Sequence, residues 1–200
     1  MIDRLPTLVQ LIKQLQQVPY VASRHIYRIA HFFLEMDEER LRQFCTTLQA
    51  AHAKLVKCTE CFVWQERDGS CLFCTNPKRS KKILCIVETW YDLWSIERTA
   101  SYGGVYHVLG GSICPLDGVG PEDLTIKALA DRVRGGAFDE VILALNQTPE
   151  GEATASYIAK KLEALPVKIT CLARGIPVGS TLEMLDRLTV HKALNERRLF

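Results

Sequence analysis

Residues 58–74 read CTECFVWQERDGSCLFC and place four cysteines in the pattern C-x2-C-x9-C-x2-C. A Cys-x-x-Cys pair lets two thiolates converge on one ion, and two such pairs complete a tetrahedron of sulfur ligands. The turn sequence RDGS at residues 67–70 favours a short β-hairpin, and zinc suits four thiolates best. We therefore predict one structural zinc ion, in a closed site without catalytic water, held by Cys58, Cys61, Cys71 and Cys74.

Two disulfides or a redox-active Cys-x-x-Cys pair are the alternatives for these cysteines. The N-terminus has no uninterrupted apolar region of the kind a secretory signal needs, and no apolar run approaches the ~20 residues of a membrane span. We therefore predict a cytoplasmic protein, in which thiols stay reduced. The other four cysteines stand alone in apolar runs and are expected to be small core residues; they are Cys45, Cys85, Cys114 and Cys171.

The segments on either side of the cysteines follow different hydrophobic patterns. Upstream, apolar spacing predicts three helices, at residues 5–17, 24–36 and 38–54. Downstream, predicted strands alternate with predicted helices, which is typical of a mainly parallel sheet with helices on its faces. The strands are expected at residues 83–87, 105–109, 141–145 and 167–173, and the helices between them at residues 90–98, 121–134 and 152–165.

The predicted fold class is therefore α/β, with a small helical N-terminal unit, a zinc-binding β-hairpin and a parallel-sheet domain that ends in a C-terminal tail. The predicted boundaries are residues 1–56, 57–79, 80–174 and 175–200.

Polar residues follow the strands where a parallel sheet places its functional sites. Glu88 follows the first strand, and Asn146, Thr148 and Glu150 follow the third. Two acids here could hold magnesium for phosphoryl chemistry, although Asn146 and Thr148 occupy the positions nearest the strand end. Glu88 and Glu150 could equally be polar loop residues or ion-pair partners. The five histidines show no ligand spacing, and we predict surface or helix-face positions for them.

Arg24 and Arg28 lie four residues apart at the start of the second predicted helix, so they share one face. A helix N-terminus with arginines is a footprint for DNA phosphates without base readout; an ordinary basic helix face is the alternative. Residues 1–82 carry 13 Lys and Arg against 8 Asp and Glu, which is a weak further indication of an anionic partner.

The order of these parts resembles the bacterial recombination-mediator family RecR over essentially the full chain. Three stretches of the sheet domain look like family signatures, CIVE (85–88), SICPLDGVGPED (112–123) and NQTPEGEAT (146–154). In the tail, GIPVGS (175–180) followed by LEM (182–184) is similar to the family's Walker-B-like segment. The resemblance implies a helix-hairpin-helix N-terminal domain, a zinc finger with four cysteine ligands and a Toprim domain.

The resemblance also implies a function. It indicates a protein of DNA repair that is not an enzyme, binds single- and double-stranded DNA, and works with RecO, sometimes with RecF, to load RecA at single-strand gaps. It implies a homo-oligomer, a dimer or a tetramer. The family's basic hairpin residues match Arg24 and Arg28, and its RecO-contacting Toprim acids match Glu88 and Glu150. The alternatives are a magnesium-dependent Toprim nuclease or primase-like enzyme, and a partner-docking module without DNA binding.

One segment departs from the family pattern. The hairpin that usually reads L-P-G-V-G-P-K-S-A is VPYVASRHI here, at residues 18–26, so both hairpin glycines are replaced. Tyr20 and Ala22 in those positions would meet a steric cost in left-handed conformations. We expect a reshaped hairpin or weaker backbone contact with phosphate. We expect Tyr20 to pack against the third helix; stacking on a DNA base is the alternative.

Overall fold

A computed structural model describes residues 4–197, which divide into two compact units at the boundary between Leu55 and Val56. No helix in this described range is both long and apolar enough to cross a membrane. The described helices and strands, in chain order, are α1 (Pro6–Gln16), α2 (Ser23–Leu34), α3 (Glu38–Lys54), β1 (Leu55–Lys57), β2 (Trp64–Glu66), β3 (Ser80–Val87), α4 (Trp90–Glu97), β4 (Gly104–Val108), α5 (Ile126–Gly135), β5 (Glu140–Leu143), α6 (Pro149–Leu162), β6 (Lys168–Cys171) and α7 (Arg187–Asn195).

The N-terminal unit is built on the packing of α1 against α2. Ile12 of α1 and Ile26 and Ala30 of α2 form its small buried core, because their helical spacing places them on facing sides. α3 begins after Asp37, whose carboxylate accepts a hydrogen bond from the Arg40 N–H at 2.9 Å. No residue of α3 is buried within the described structure.

The turn between α1 and α2 keeps a left-handed residue. Tyr20 has φ +65°, the conformation that glycine adopts at little cost, whereas Ala22 has φ −61°. The Tyr20 side chain is fully exposed, so the expectation that it packs against the third helix is wrong. The left-handed backbone turns the Tyr20 side chain outward to solvent, which leaves its ring free for a ligand.

In the second unit, four strands form a parallel sheet in the order β4-β3-β5-β6. This confirms the predicted α/β class. α5 starts at residue 126, later than predicted, because Thr125 is tied to the end of β4: its N–H donates to the Leu109 carbonyl at 3.0 Å. α6 starts earlier than predicted, at Pro149, because the Thr148 hydroxyl caps it by accepting from the Gly151 N–H.

The two faces of the sheet have different covers. Along β3, Leu84 and Ile86 face α5 and α6, whereas Cys85 and Val87 face the other way. The second face is covered by α4 and by residues 56–79, which we call the cysteine module. The buried side chains of the module and α4 on this face are Cys58, Cys61, Val63, Cys71, Phe73, Cys74 and Leu93.

The outer edge of β4, an edge strand of the sheet, is also engaged. An exposed row of backbone groups would otherwise offer a template for another strand. Four of these groups have hydrogen-bond partners: Gly104 O with Arg79 at 2.9 Å, Tyr106 O with Arg132 at 2.6 Å, Val108 N with the Cys61 carbonyl at 2.9 Å and Val108 O with the Thr125 hydroxyl at 2.8 Å.

His107 of β4 is fully buried, so the predicted surface or helix-face position is wrong for this histidine. Its Nε2 lies 2.9 Å from the Thr125 hydroxyl, and the Phe62 ring packs edge-on against the imidazole with centroids 5.2 Å apart. Burial, aided by the Arg132 charge, lowers the pKa of His107 to about 3. The imidazole is therefore neutral in the folded protein at neutral pH.

We expect folding stability to fall as the pH drops from 6.5 towards 3, because only the unfolded chain takes up a proton on His107 in that range. The loss from this residue should approach about 1.4 kcal/mol per pH unit. Urea titrations between about pH 7 and pH 5 measure the slope. His107→Gln keeps a hydrogen-bonding group for Thr125 but does not titrate, so its slope should be shallower; equal slopes would contradict the assignment.

Candidate functional site

Four buried sulfurs form the most sharply defined chemical site of the described structure. The Sγ atoms of Cys58, Cys61, Cys71 and Cys74 all lie within 4.8 Å of one another, with Cys61 and Cys71 3.4 Å apart. Four Zn–S bonds of about 2.3 Å in a tetrahedron require sulfurs about 3.8 Å apart. The four cysteines are thus placed to bind one metal ion, and their donor set is that of structural zinc sites.

Local backbone geometry aims these sulfurs at one point. The first Cys-x-x-Cys pair forms the turn between β1 and β2, where the Glu60 N–H points at Cys58 Sγ with N···S 3.5 Å. Phe62, at φ +62°, reverses the chain directly after the pair. In the second pair, the Cys74 N–H points at Cys71 Sγ, again at 3.5 Å. Such N–H···S contacts orient thiolates and delocalise their charge.

Arg132 connects the cysteine module to the sheet domain. Its guanidinium lies 3.6 Å from Cys74 Sγ and 3.1 Å from the Glu60 carboxylate, and it also donates to the Tyr106 carbonyl of β4. A hydrogen bond from Cys61 and the Arg132 charge lower the pKa of the Cys74 thiol to about 7. Four thiolates on a divalent ion leave a net negative charge, which this arginine offsets. No local sequence signal points to Arg132, since it lies 58 residues beyond Cys74.

All eight cysteines are free thiols, so the disulfide alternative has no support in the structure. Of the four cysteines outside the cluster, Cys85 fits the expectation of a core residue: it is buried, and burial raises its pKa to about 12. Cys114 is half-buried. Cys45 and Cys171 are exposed, so the expectation is wrong for both.

Glu88 lies at the carboxyl end of β3 and is buried. Its Oε1 accepts from the Asn146 backbone N–H at 2.8 Å, and its Oε2 accepts from the Asn146 side-chain amide at 2.7 Å. Gly151 leaves the space this arrangement needs: a Cβ there would clash with the Asn146 carbonyl and lie 2.9 Å from Glu88 Oε1. The carboxylate thus joins the ends of β3 and β5, a bond that the sequence pattern did not reveal.

The other acids at this edge are placed differently. Glu150 is half-buried in the first turn of α6. Glu152 is paired with Lys192 of α7 at 2.5 Å and with Arg174 at 3.6 Å, and the Lys192 hydrogen bond lowers the pKa of that carboxyl. Both carboxylate oxygens of Glu88 are engaged by Asn146, which leaves Glu150 as the more accessible of the two predicted acids. These two carboxylates are therefore a poor set of ligands for magnesium.

Arg24 and Arg28 both lie on α2 and are exposed. The Arg24 Nε lies 3.2 Å from Nε2 of His25, which is an exposed contact. Neither arginine is in an ion pair in the described structure. The first turn of α2 contains no acidic residue, so nothing in that turn offsets their charge.

Family models match two parts of the chain: "Toprim domain" over residues 82–173, and "RecR, C-terminal" over residues 175–198. Three relatives carry the name Recombination protein RecR. The relative from Chelativorans sp. is 43% identical over 195 residues, or 98% of this chain and 96% of the relative. Those from Rubrobacter xylanophilus and Tropheryma whipplei are 41% and 40% identical, each over 94% of both chains. The resemblance inferred from the sequence motifs is confirmed.

We expect each chain to bind one divalent ion at the cysteine cluster. Cys71→Ser should lose that ion and unfold at a lower temperature, because the ion links the two Cys-x-x-Cys turns and its binding free energy adds to the stability of the fold. Elemental analysis after refolding with zinc, together with a thermal melt, measures both effects. Cys171→Ser removes an exposed thiol outside the cluster and should behave as wild type. Equal metal content in the two variants would refute the site.

We expect Glu88→Gln to lower the free energy of unfolding by about 1–3 kcal/mol, since the amide keeps one accepting oxygen and turns its NH2 group towards the other Asn146 donor. Urea unfolding measures the change. Glu150→Gln, at the same edge but half-exposed, should stay within about 0.5 kcal/mol of wild type. Equal stability of the two variants would show that the Glu88 bonds contribute little.

Proposed function

This chain belongs to the RecR family of recombination proteins, and from that membership we propose that it is a DNA-binding mediator of recombinational repair. The observation that carries the proposal is the match to RecR relatives over 94–98% of the chain. In this role it acts with RecO, and with RecF as a further candidate partner, to load RecA at single-strand gaps. We propose that it works as a homo-oligomer, a dimer or a tetramer, in the cytoplasm.

The proposed DNA contact is the start of α2. Arg24 and Arg28 project from one helix face with no acidic residue in the first turn, which favours an anionic ligand. Tyr20 is proposed to belong to the same DNA-binding surface. The turn that carries it keeps a left-handed residue at this position, although the glycine of the family pattern is replaced. The exposed phenol ring adds a group that can stack on a base. The arginines would contact DNA phosphates and Tyr20 would stack on a base, and neither contact depends on the base sequence of the DNA.

The four cysteines are proposed to hold zinc in a structural role. All four are buried, and the sulfur donor set leaves no open coordination position for water or substrate. Zinc would therefore order the module and, through it, one face of the sheet.

The carboxyl edge of the sheet, where Glu88 and Glu150 lie, is proposed to bind RecO and not to catalyse a reaction. Glu150, the more exposed of the two acids, would contact the partner directly. Glu88 would act by holding the strand ends in place through Asn146. No catalysis is proposed because Asn146 and Thr148 stand where a nuclease or primase would need further carboxylates.

DNA binding across a salt series tests the proposal. Two phosphate contacts contribute about 1.8 to the slope of log K against log salt on duplex DNA. Arg24→Ala/Arg28→Ala should lose most of that contribution and bind more weakly at low salt. Fluorescence anisotropy with labelled single strand and duplex measures both quantities.

Arg40→Ala/Arg42→Ala is the matched control. These arginines are exposed on α3 and are paired with Asp37 and Glu38, so their removal should change DNA affinity little. Equal affinity of wild type and the Arg24/Arg28 variant would overturn the assigned surface. Binding that requires added RecO would show that the partner supplies the DNA contact.

A further inference from the structure

A cleft of about 250 Å³ opens beside the carboxyl ends of β3 and β4, within the second unit. Its aromatic walls are Phe62 and Trp64 of the cysteine module and Trp90 and Tyr91 of α4. The volume is below the ~300–1,000 Å³ of pockets that enclose drug-sized ligands. The cleft therefore suits a single flat ring better than an entire nucleotide cofactor.

Three of the four aromatic walls are exposed to solvent. Trp90 is 44% exposed, Tyr91 60% and Trp64 46%, which is unusual for such large rings in one place. Trp90 and Tyr91 lie with centroids 4.4 Å apart in the first turn of α4. Thr89 and Asp92 form a capping box that fixes the backbone of this turn, so the points from which the two rings project are set before a ligand binds.

The cleft's charge and hydrogen bonding limit the kind of ligand. Lys57 is the only charged side chain among its described lining residues, and its Nζ lies 5.7 Å from the centroid of the Trp64 ring. The Thr125 hydroxyl already bonds to the Val108 carbonyl, and the Thr89 hydroxyl to the Asp92 carboxylate. The cleft thus offers aromatic ring faces and one cation, and the hydroxyl hydrogens of both threonines are already engaged within the protein.

We propose that this cleft takes one unstacked base of single-stranded DNA, with Lys57 on the adjacent phosphate. This inference rests on the proposed DNA-binding function but assigns a second contact, separate from Arg24 and Arg28. Stacking on ring faces tolerates any base, because every base has a flat π-face. A duplex keeps its bases stacked inside, so the contact is selective for single strands.

Fluorescence anisotropy with labelled oligo(dT) tests this site in the full chain. Trp90→Ala/Tyr91→Ala should weaken binding of the single strand by about tenfold or more, and duplex binding should stay unchanged. Lys57→Gln should reduce the slope of log K against log salt by about 0.7. Because both rings are exposed, the double variant should keep its fold, which circular dichroism checks.

Trp94→Ala is the matched control, because Trp94 lies on α4, is 58% exposed and does not line the cleft. It should bind oligo(dT) as wild type does. In a Trp94→Phe chain, oligo(dT) should quench the remaining emission from Trp64 and Trp90. The absence of quenching while the strand is bound would overturn the proposal.

The outcomes separate this proposal from the hairpin contact. If Arg24→Ala/Arg28→Ala loses affinity while Trp90→Ala/Tyr91→Ala does not, the cleft assignment fails and the proposed function stands. Loss only in the aromatic variant supports the cleft and removes the hairpin assignment. If the aromatic variant changes oligomeric state or RecO binding but not affinity for oligo(dT), the cleft is a protein interface and the proposal is overturned.

Discussion

A parallel sheet must be covered on both faces, and in this protein the segment that carries the four clustered cysteines provides part of one cover. α5 and α6 pack on one face, and α4 and the cysteine module pack on the other. The four sulfurs lie in the same apolar cluster as Cys85, Val87 and Tyr106 of the sheet. The cysteine cluster and this face of the sheet therefore share one core, and Arg132 contacts both, at Cys74 and at the Tyr106 carbonyl.

At the carboxyl edge of the sheet, the buried carboxylate of Glu88 has a structural role. Glu88 bonds to both donors of Asn146, so its charge is satisfied between two strand ends and is not directed at a ligand. The cleft beside the carboxyl ends of β3 and β4 is lined by aromatic rings and by Lys57. That combination fits binding by stacking and phosphate contact better than metal-assisted chemistry.

Short-range patterns predicted most of the framework. The spacing of the four cysteines and the alternation of strands with helices were sufficient for the cluster and the parallel sheet, because both depend on local periodicity. Long-range partners were not predictable in this way. The burial of His107 depends on Phe62 and Thr125, and the role of Glu88 depends on Asn146, 58 residues later. The start of α5 also depends on a distant bond, from Thr125 to the Leu109 carbonyl.

The hydrogen bond from the Val108 N–H to the Cys61 carbonyl bears on how this protein avoids pairing with its own copies. It caps the outer edge of β4 with the backbone of a metal-binding turn. An open N–H on an edge strand can pair with a strand of another molecule. The cysteine turn closes this one, and side chains from outside the turn engage three outer carbonyls of the same strand, so β4 is closed to self-pairing by contacts of two independent kinds.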